Sequence, residues 1–280
     1  MPADIKRARC RYVRTGSTFD ELAAELGIPF VVKPANGLGA ERTTVVGSME
    51  EFTTLVAGSP PPSDLEYIAE SFVDGPEMHI DGVWAQGGVL WSSVSKYQSS
   101  PLHCVQGGVL ASQQVAHTHN ATLFEQARHM AERALGGLRA PDCVFHLEAF
   151  QEAKGLTFGE CAARLAGAMI PEIVDLTHGV NLYEAELSLA LGEPVQDLLR
   201  PRDPAAYHAY IFLRRYAGLR LTEADFKQRF PFTEIDYPDT ADAPVGSYGR
   251  VGHAIVSDPD DRRLRELVDD IVRFNELGDG

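Results

Sequence analysis

Glu148, in VFHLEAF, and Glu160, in TFGECAARLAG, are two carboxylates twelve residues apart, with AKGL between them. If the two segments form an antiparallel hairpin centred on Lys154, the acids face each other on one side of the sheet, because side-chain direction alternates with period two. Like charges so placed repel, and folding tolerates the pairing best when a cation sits between them. Two hard oxygen donors at cross-strand distance suit Mg²⁺, with substrate phosphates as the remaining ligands. The spacing therefore points first to nucleotide chemistry.

Other residues could join that chemistry. Lys33 ends an apolar run and precedes a turn bearing Gly37 and Gly39. Such a turn lets backbone N–H groups approach phosphate oxygens, while the lysine supplies a point charge. An ordinary hairpin with a snorkelling lysine reads the same way. In ESFVDGPE, Glu70 and Glu77 bracket Phe72 and Val73. A strand-to-strand hinge of this kind can offer backbone groups to an adenine edge, and the later carboxylate can accept ribose hydroxyls; two solvent-facing glutamates are the plainer alternative. Arg164 shares the parity of Glu160 as long as the strand continues. It could then stabilise charge on a transferring phosphoryl group or an oxyanion, or merely neutralise Glu160. His146 shares the face of Glu148. His117 and His119, one residue apart, could be metal ligands on a strand, but without a third donor they read as surface-loop residues. No nucleophile elbow or Ser-His-Asp order stands out.

Composition narrows the partners. A net charge of −15 argues against nucleic acid, which is bound through clustered Lys and Arg. The basic run Lys6, Arg7, Arg9, Arg11 and Arg14 reads as a solvated edge. Four separated cysteines form no CxxC pair, so neither zinc nor a redox dithiol is indicated. No membrane partner is expected, since no stretch is apolar enough to span a bilayer and no secretion signal is seen. A cytoplasmic protein is the expectation.

The elements that must position these groups read as mixed strands and helices, which favours α+β lobes over a doubly wound sheet. Ser17 is expected to cap a helix through Phe19, Leu22, Ala23 and Leu26, ended by Gly27 and Pro29. Residues 30–32 and 43–46 read as paired strands, and Ser48 with Glu51 as a capping box for a helix to about Val56. The Pro-rich stretch 59–63 closes a smaller lobe, 1–66. The larger lobe, 67–280, opens with strands 67–73, 77–84 and 88–97. A mobile loop is expected over 99–116, then a helix over 121–135 stopped by Gly136-Gly137. The acidic hairpin, a helix near 181–191, a weakly patterned region to about 249 and an amphipathic helix over 260–274 complete the chain.

Taken in order, VVKPANGLG, IAESFVDGPE, VFHLEAF and FGECAARLAGAMIP resemble the ATP-grasp superfamily of carboxylate–amine ligases, over about residues 11–192. The resemblance implies two α+β lobes with ATP between them and an acyl phosphate attacked by an amine. It gives Lys33 to the phosphates, Gly37 and Gly39 to the phosphate-covering loop, Glu70, Phe72 and Val73 to the adenine hinge and Glu77 to the ribose. Glu148 and Glu160 become Mg²⁺ ligands, and Arg164 the arginine that steadies the acyl phosphate. ECAAR and LAGAMIP are similar to the members that join amino acids, such as L-amino-acid ligases and carnosine synthase. Many members place asparagine where this chain has Ala162. The usual N-terminal domain is not seen, which leaves room for a homodimer or for a partner chain that supplies it. The resemblance thus implies an ATP- and Mg²⁺-dependent ligase that joins a small carboxylate, amino-acid derived, to an amine with release of ADP and phosphate. A phosphotransferase of the same fold and a nucleotide-binding subunit completed by a partner are the alternatives.

Overall fold

The alternation in FVVKP makes a strand with one buried face: Phe30, Val32 and Pro34 are buried while Val31 and Lys33 are half-buried. In the computed structural model this strand belongs to the smaller of two units, Lys6–Gly75; the larger is Pro76–Gly280 with Met1–Ile5. The structure describes all residues except 1, 15, 38, 59–65, 239–246 and 279–280.

The smaller unit comprises β1 (Cys10–Val13), α1 (Phe19–Leu26), β2 (Phe30–Pro34), β3 (Thr44–Val46), α2 (Met49–Gly58) and β4 (Tyr67–Ser71), with sheet order β1-β4-β2-β3. Phe19, Leu22 and Leu26 pack on Phe30, Val32, Val46, Phe52 and Ala69. Thr18, not Ser17, caps α1: its side chain accepts from the Glu21 N–H and Glu21 reaches back to it. Ser17 is occupied instead as acceptor for the Arg14 N–H at 2.9 Å. Ser48 accepts from the Glu51 N–H, but Glu51 reaches back to the Gly47 N–H rather than to Ser48. The expected Pro-rich break at 59–63 lies outside the described residues. Because β4 is laddered between β1 and β2, it belongs to the smaller sheet, and the units divide after Gly75 rather than after residue 66.

The larger unit begins with β5 (Glu77–Ala85), β6 (Gly88–Tyr97), α3 (Pro101–Val105), β7 (Ala111–Gln114) and α4 (His117–Leu138). The acidic hairpin follows as β8 (Cys143–Glu152) and β9 (Gly155–Ala162), then α5 (Ile170–His178), α6 (Leu182–Leu191), β10 (Tyr207–Leu213) and α7 (Glu223–Arg229). It ends with β11 (Glu234–Asp236), β12 (Gly252–Asp258) and α8 (Asp261–Leu277). Eight strands run in the order β11-β12-β10-β7-β6-β5-β8-β9, and the pairings among the described residues of both sheets are antiparallel.

Period two divides the faces of β5 and β8. Met78, Ile80, Trp84, Phe145, Leu147 and Ala149 pack beneath Leu123, Ala127, Met130 and Ala134 of α4. Val83 and Val144 face the other way, onto Ile170, Ile173 and Val174 of α5 and Leu182 and Ala185 of α6. The alternate residues of the same strands, His79, Asp81, His146 and Glu148, share that second face. Further along the sheet, β10 and β12 pack on Leu264, Val268, Ile271 and Phe274 of α8.

The span expected to be a mobile loop, 99–116, is structured. Ser100 caps α3, accepting from the His103 N–H at 3.2 Å, and β7 is laddered between β6 and β10. Arg214 Nη1 donates to the carbonyls of Cys104, at 3.1 Å, and Gly108, at 3.3 Å, and the Tyr216 hydroxyl donates to that of Gly107 at 2.9 Å. Helix α4 begins earlier than expected, so His117 and His119 stand exposed on its first turn rather than on a strand or loop. It also runs past Gly136-Gly137, ending at Arg139 in the left-handed conformation.

Candidate active site

The β8–β9 ladder sets Glu148 directly opposite Glu160 and His146 opposite Ala162, so the two acids share one face. The turn that does this is not the symmetric one centred on Lys154. Glu152 pairs with Gly155 around a two-residue turn, and the register shifts once between Glu148 and Ala149. Without that shift Glu148 would oppose Gly159 and Glu160 would point to the α4 face. Gly159 is the extra residue, and a glycine suits it: a Cβ there would lie 3.0 Å from the Glu148 carbonyl oxygen.

Glu148 is held from within the sheet. The Tyr97 hydroxyl donates to its Oε1 at 2.9 Å, and His146 Nε2 lies 3.4 Å from the same oxygen. Behind them, Asp81 spans two rings: Oδ1 is 2.7 Å from His146 Nδ1 and Oδ2 is 2.5 Å from His79 Nδ1. His79 Nε2 continues the chain to Ser112 Oγ at 2.7 Å. Asp81 is 1% exposed and His79 fully buried. Burial alone would raise the Asp81 pKa, but the two imidazoles outweigh it and hold the carboxyl well below its usual range. For His146 burial lowers and Asp81 raises; the carboxylate wins and lifts the ring to about 10. Glu148 follows the same logic, with burial opposed by His146 and Tyr97, and its pKa is lowered. The Tyr97 phenol is raised well above its ordinary value by burial and by Glu148. Between them these shifts keep Glu148 ionised, as a metal ligand requires.

Among the described residues, His79, Asp81 and His146 also form the one cluster with metal-ligand chemistry. The spacings of 2.5 and 2.7 Å are those of shared protons. Ligands around a tetrahedral metal with bonds of about 2.1 Å stand roughly 3.4 Å apart. The cluster is thus held by hydrogen bonds, while the facing carboxylates Glu148 and Glu160 carry hard oxygen donors, the kind that Mg²⁺ takes.

The other expected site residues fall into two groups. In the larger unit Glu77 opens β5, half-buried, opposite Phe150. Arg164 corrects the parity argument: β9 ends at Ala162, and the exposed Arg164 donates through Nη1 to the Leu165 carbonyl at 2.7 Å instead of following the face of Glu160. In the smaller unit Lys33 pairs with Glu70 at 2.8 Å. Gly37 and Gly39 lie in the β2–β3 connection, Gly39 with φ of 61°. Phe72, 43% exposed, and Val73 continue past β4. The hinge group thus belongs to two units, Glu70, Phe72 and Val73 to one and Glu77 to the other.

Asp81, His79 and Tyr97 are the site residues that sequence reasoning missed. A signal existed: EMHIDGVWA places His79 and Asp81 two apart within an otherwise apolar strand, which aims both polar groups at one buried face.

This architecture is the ATP-grasp fold, found again in solved structures that align along nearly the whole chain. Carboxyaminoimidazole ribonucleotide synthase from Aspergillus clavatus, complexed with ATP, superposes with a TM-score of 0.73 at 16% identity, covering 96% of this chain and 69% of that one. The L-amino acid ligase from Bacillus licheniformis gives 0.67 at 19% identity, covering 95% and 66%. In sequence the chain is similar to the L-arginine-specific L-amino acid ligase of Bacillus subtilis, 28% identical over 176 residues. That match takes in 60% of this chain and 41% of the relative, so the chain spans well under half of it. No family model matches. No described helix is long and apolar enough to cross a membrane.

Proposed function

We propose that the chain carries the ATP-binding and activating machinery of an ATP-dependent carboxylate–amine ligase, and that the carboxylate it activates belongs to an amino acid. The observation that carries this reading is the pairing of Glu148 with Glu160 across β8 and β9. Two carboxylate donors on one face, one of them anchored by Tyr97 and His146, fit Mg²⁺ accompanying the phosphates of ATP. Such an ion supplies charge neutralisation on the phosphoryl oxygens during transfer. The similarity to the L-amino acid ligases supports the substrate class.

In this reading Glu148 and Glu160 orient the metal-bearing phosphates, and Lys33 adds a positive charge to them. The glycine connection bearing Gly37 and Gly39 covers the phosphates with backbone N–H groups. Glu70, Phe72 and Val73 receive the adenine, and Glu77 the ribose hydroxyls. Arg164 is assigned to the developing acyl phosphate, its exposed guanidinium lying just past the end of β9. The carboxylate oxygen attacks the terminal phosphorus and ADP leaves; the amine nitrogen then attacks the acyl carbon, phosphate leaves and the nitrogen sheds a proton. Catalysis of this kind rests on alignment and on charge stabilisation.

The test is an ADP-release screen over amino acids with hydroxylamine as trap. Wild-type protein is expected to give amino-acid-dependent ADP and a hydroxamate, and Glu160→Gln to lose turnover by about 10²-fold or more with an unchanged circular dichroism spectrum. ADP formation that never yields a hydroxamate would replace ligation by simple phosphoryl transfer, and a fully active Glu160→Gln would remove the metal role.

A further inference from the structure

The metal role proposed above for Glu148 leaves unassigned the polar chain behind it. Among the described residues, the two groups that touch the Glu148 carboxylate touch the same oxygen. The Tyr97 hydroxyl donates to Oε1 at 2.9 Å and His146 Nε2 stands 3.4 Å from Oε1. His146 is fixed in turn by Asp81, whose Oδ1 is 2.7 Å from Nδ1, and Asp81 is fixed by His79, itself tied to Ser112. Every link before Glu148 is nearly closed to solvent: His79 is 0% exposed, Asp81 1%, His146 6% and Tyr97 8%. A buried chain of this length costs desolvation at each step and is tolerated only when each polar atom is satisfied. It ends at a side chain that is 29% exposed.

We infer that Tyr97 and His146, with Asp81 behind them, are positioning residues: they hold Glu148 through Oε1 so that Oε2 alone is presented to the metal, as a fixed one-oxygen ligand. Outer partners of this kind orient a ligand and set its basicity, and their loss lowers metal affinity by about 10- to 100-fold. Glu160 has a different character. It is exposed near the end of β9 and follows the Gly159 bulge. The pair is therefore unequal, one ligand built into the sheet and the other at its rim.

The experiment titrates Mn²⁺ into the full chain with a non-hydrolysable ATP analogue, reading free Mn²⁺ by electron paramagnetic resonance. The variants are Tyr97→Phe, His146→Asn and Glu148→Gln, each melted separately. Tyr97→Phe removes one hydroxyl from a ring that otherwise stays packed, so it remains informative if His146→Asn does not fold. The inference expects Tyr97→Phe to weaken Mn²⁺ by about tenfold or more and to change the spectrum of the bound ion, with metal-free affinity for the analogue unchanged. Glu148→Gln should weaken Mn²⁺ further. If Glu148→Gln loses Mn²⁺ while Tyr97→Phe binds it as wild type does, the positioning role falls and the metal role stands. If Glu148→Gln also binds Mn²⁺ as wild type does, both fall.

Discussion

Glu148 meets Glu160 across the β8–β9 ladder because Gly159 is an extra residue between a two-residue turn and the acid that must face its partner. A strand slip of one place reverses every side chain beyond it, so this bulge decides whether the hairpin carries one acid on the site face or two. It also lets the backbones of Gly159 and Glu148 approach closely, within the reach of any Cβ placed there.

Deleting Gly159 tests this directly. With the extra residue removed, the ladder should close in continuous register with Glu148 still opposite Glu160, so nucleotide-dependent Mn²⁺ binding and ADP release should persist. Gly159→Ala keeps the register and is expected to cost only about 1 kcal/mol in a denaturant melt, through crowding of the Glu148 carbonyl. A deletion variant that no longer bound Mn²⁺ would show that the site needs the bulge itself and not only the facing of the two acids.

Lys33 and Glu70 form a different kind of pair. Their side chains are 25% and 22% exposed at 2.8 Å, so solvent screens the attraction and the pair contributes about 1 kcal/mol or less to stability. Lys33→Met should therefore melt within about that margin of wild type. If Lys33 binds phosphate, the same variant raises KM for ATP by about tenfold, the cost of roughly one charge-assisted hydrogen bond. Steady-state ADP release over an ATP series reads this, and an unaltered KM would return Lys33 to a structural role.

Asp81 stands at the opposite extreme, buried between two imidazoles. Asp81→Asn leaves His79 and His146 without their anionic partner in a dry interior, and breaking a buried network of this kind costs about 3–5 kcal/mol. Thermal melting of the variant should show the loss. A shift equivalent to under about 1 kcal/mol, the range of a surface pair, would mean that the network is open to water.

What could be read from the chain divides along physical lines. The helix over Phe19–Leu26 and the strand around Val31 were legible because their apolar periodicity is local, and the facing of Glu148 and Glu160 because a symmetric hairpin centred on Lys154 gives the same pairing as the actual turn and bulge together. The two-residue turn and bulge were not, since two register errors cancel in the pairing. β7 was hidden by its composition: Ala111, Ser112, Gln113 and Gln114 look like loop yet are all buried, with Ser112 bonded to the Lys96 carbonyl, Gln113 Nε2 to that of Asp261, and Gln114 to Ser95 and His178 across the fold. The place of β4 was hidden because it depends on ladders to β1 and β2 that are distant in sequence. Arg164 was misplaced because parity carries only as far as the strand, and β9 stops at Ala162.

His178 sets the last expectation, for stability against pH. Gln114 gives its amide N–H to Ser95 at 2.7 Å and so turns its oxygen to His178 Nε2 at 3.0 Å, an arrangement that suits a neutral ring. Burial, then the charges of Arg202 and His208, lower the His178 pKa to about 4, and His208 is lowered by burial and Arg202. The folded pKa lies below the unfolded value of 6.5, so the unfolded chain binds more protons in this window. The contribution is complete above pH 6.5 and is lost as pH falls toward 4, at up to about 1.4 kcal/mol per pH unit. His146 runs the other way: raised to about 10, it contributes fully below 6.5 and loses that contribution as pH rises through about 10. Urea midpoints measured from pH 7 to pH 5 should fall for wild type and fall less for His178→Gln, whose amide does not titrate. Equal slopes in the two proteins would mean that His178 is protonated in the folded state.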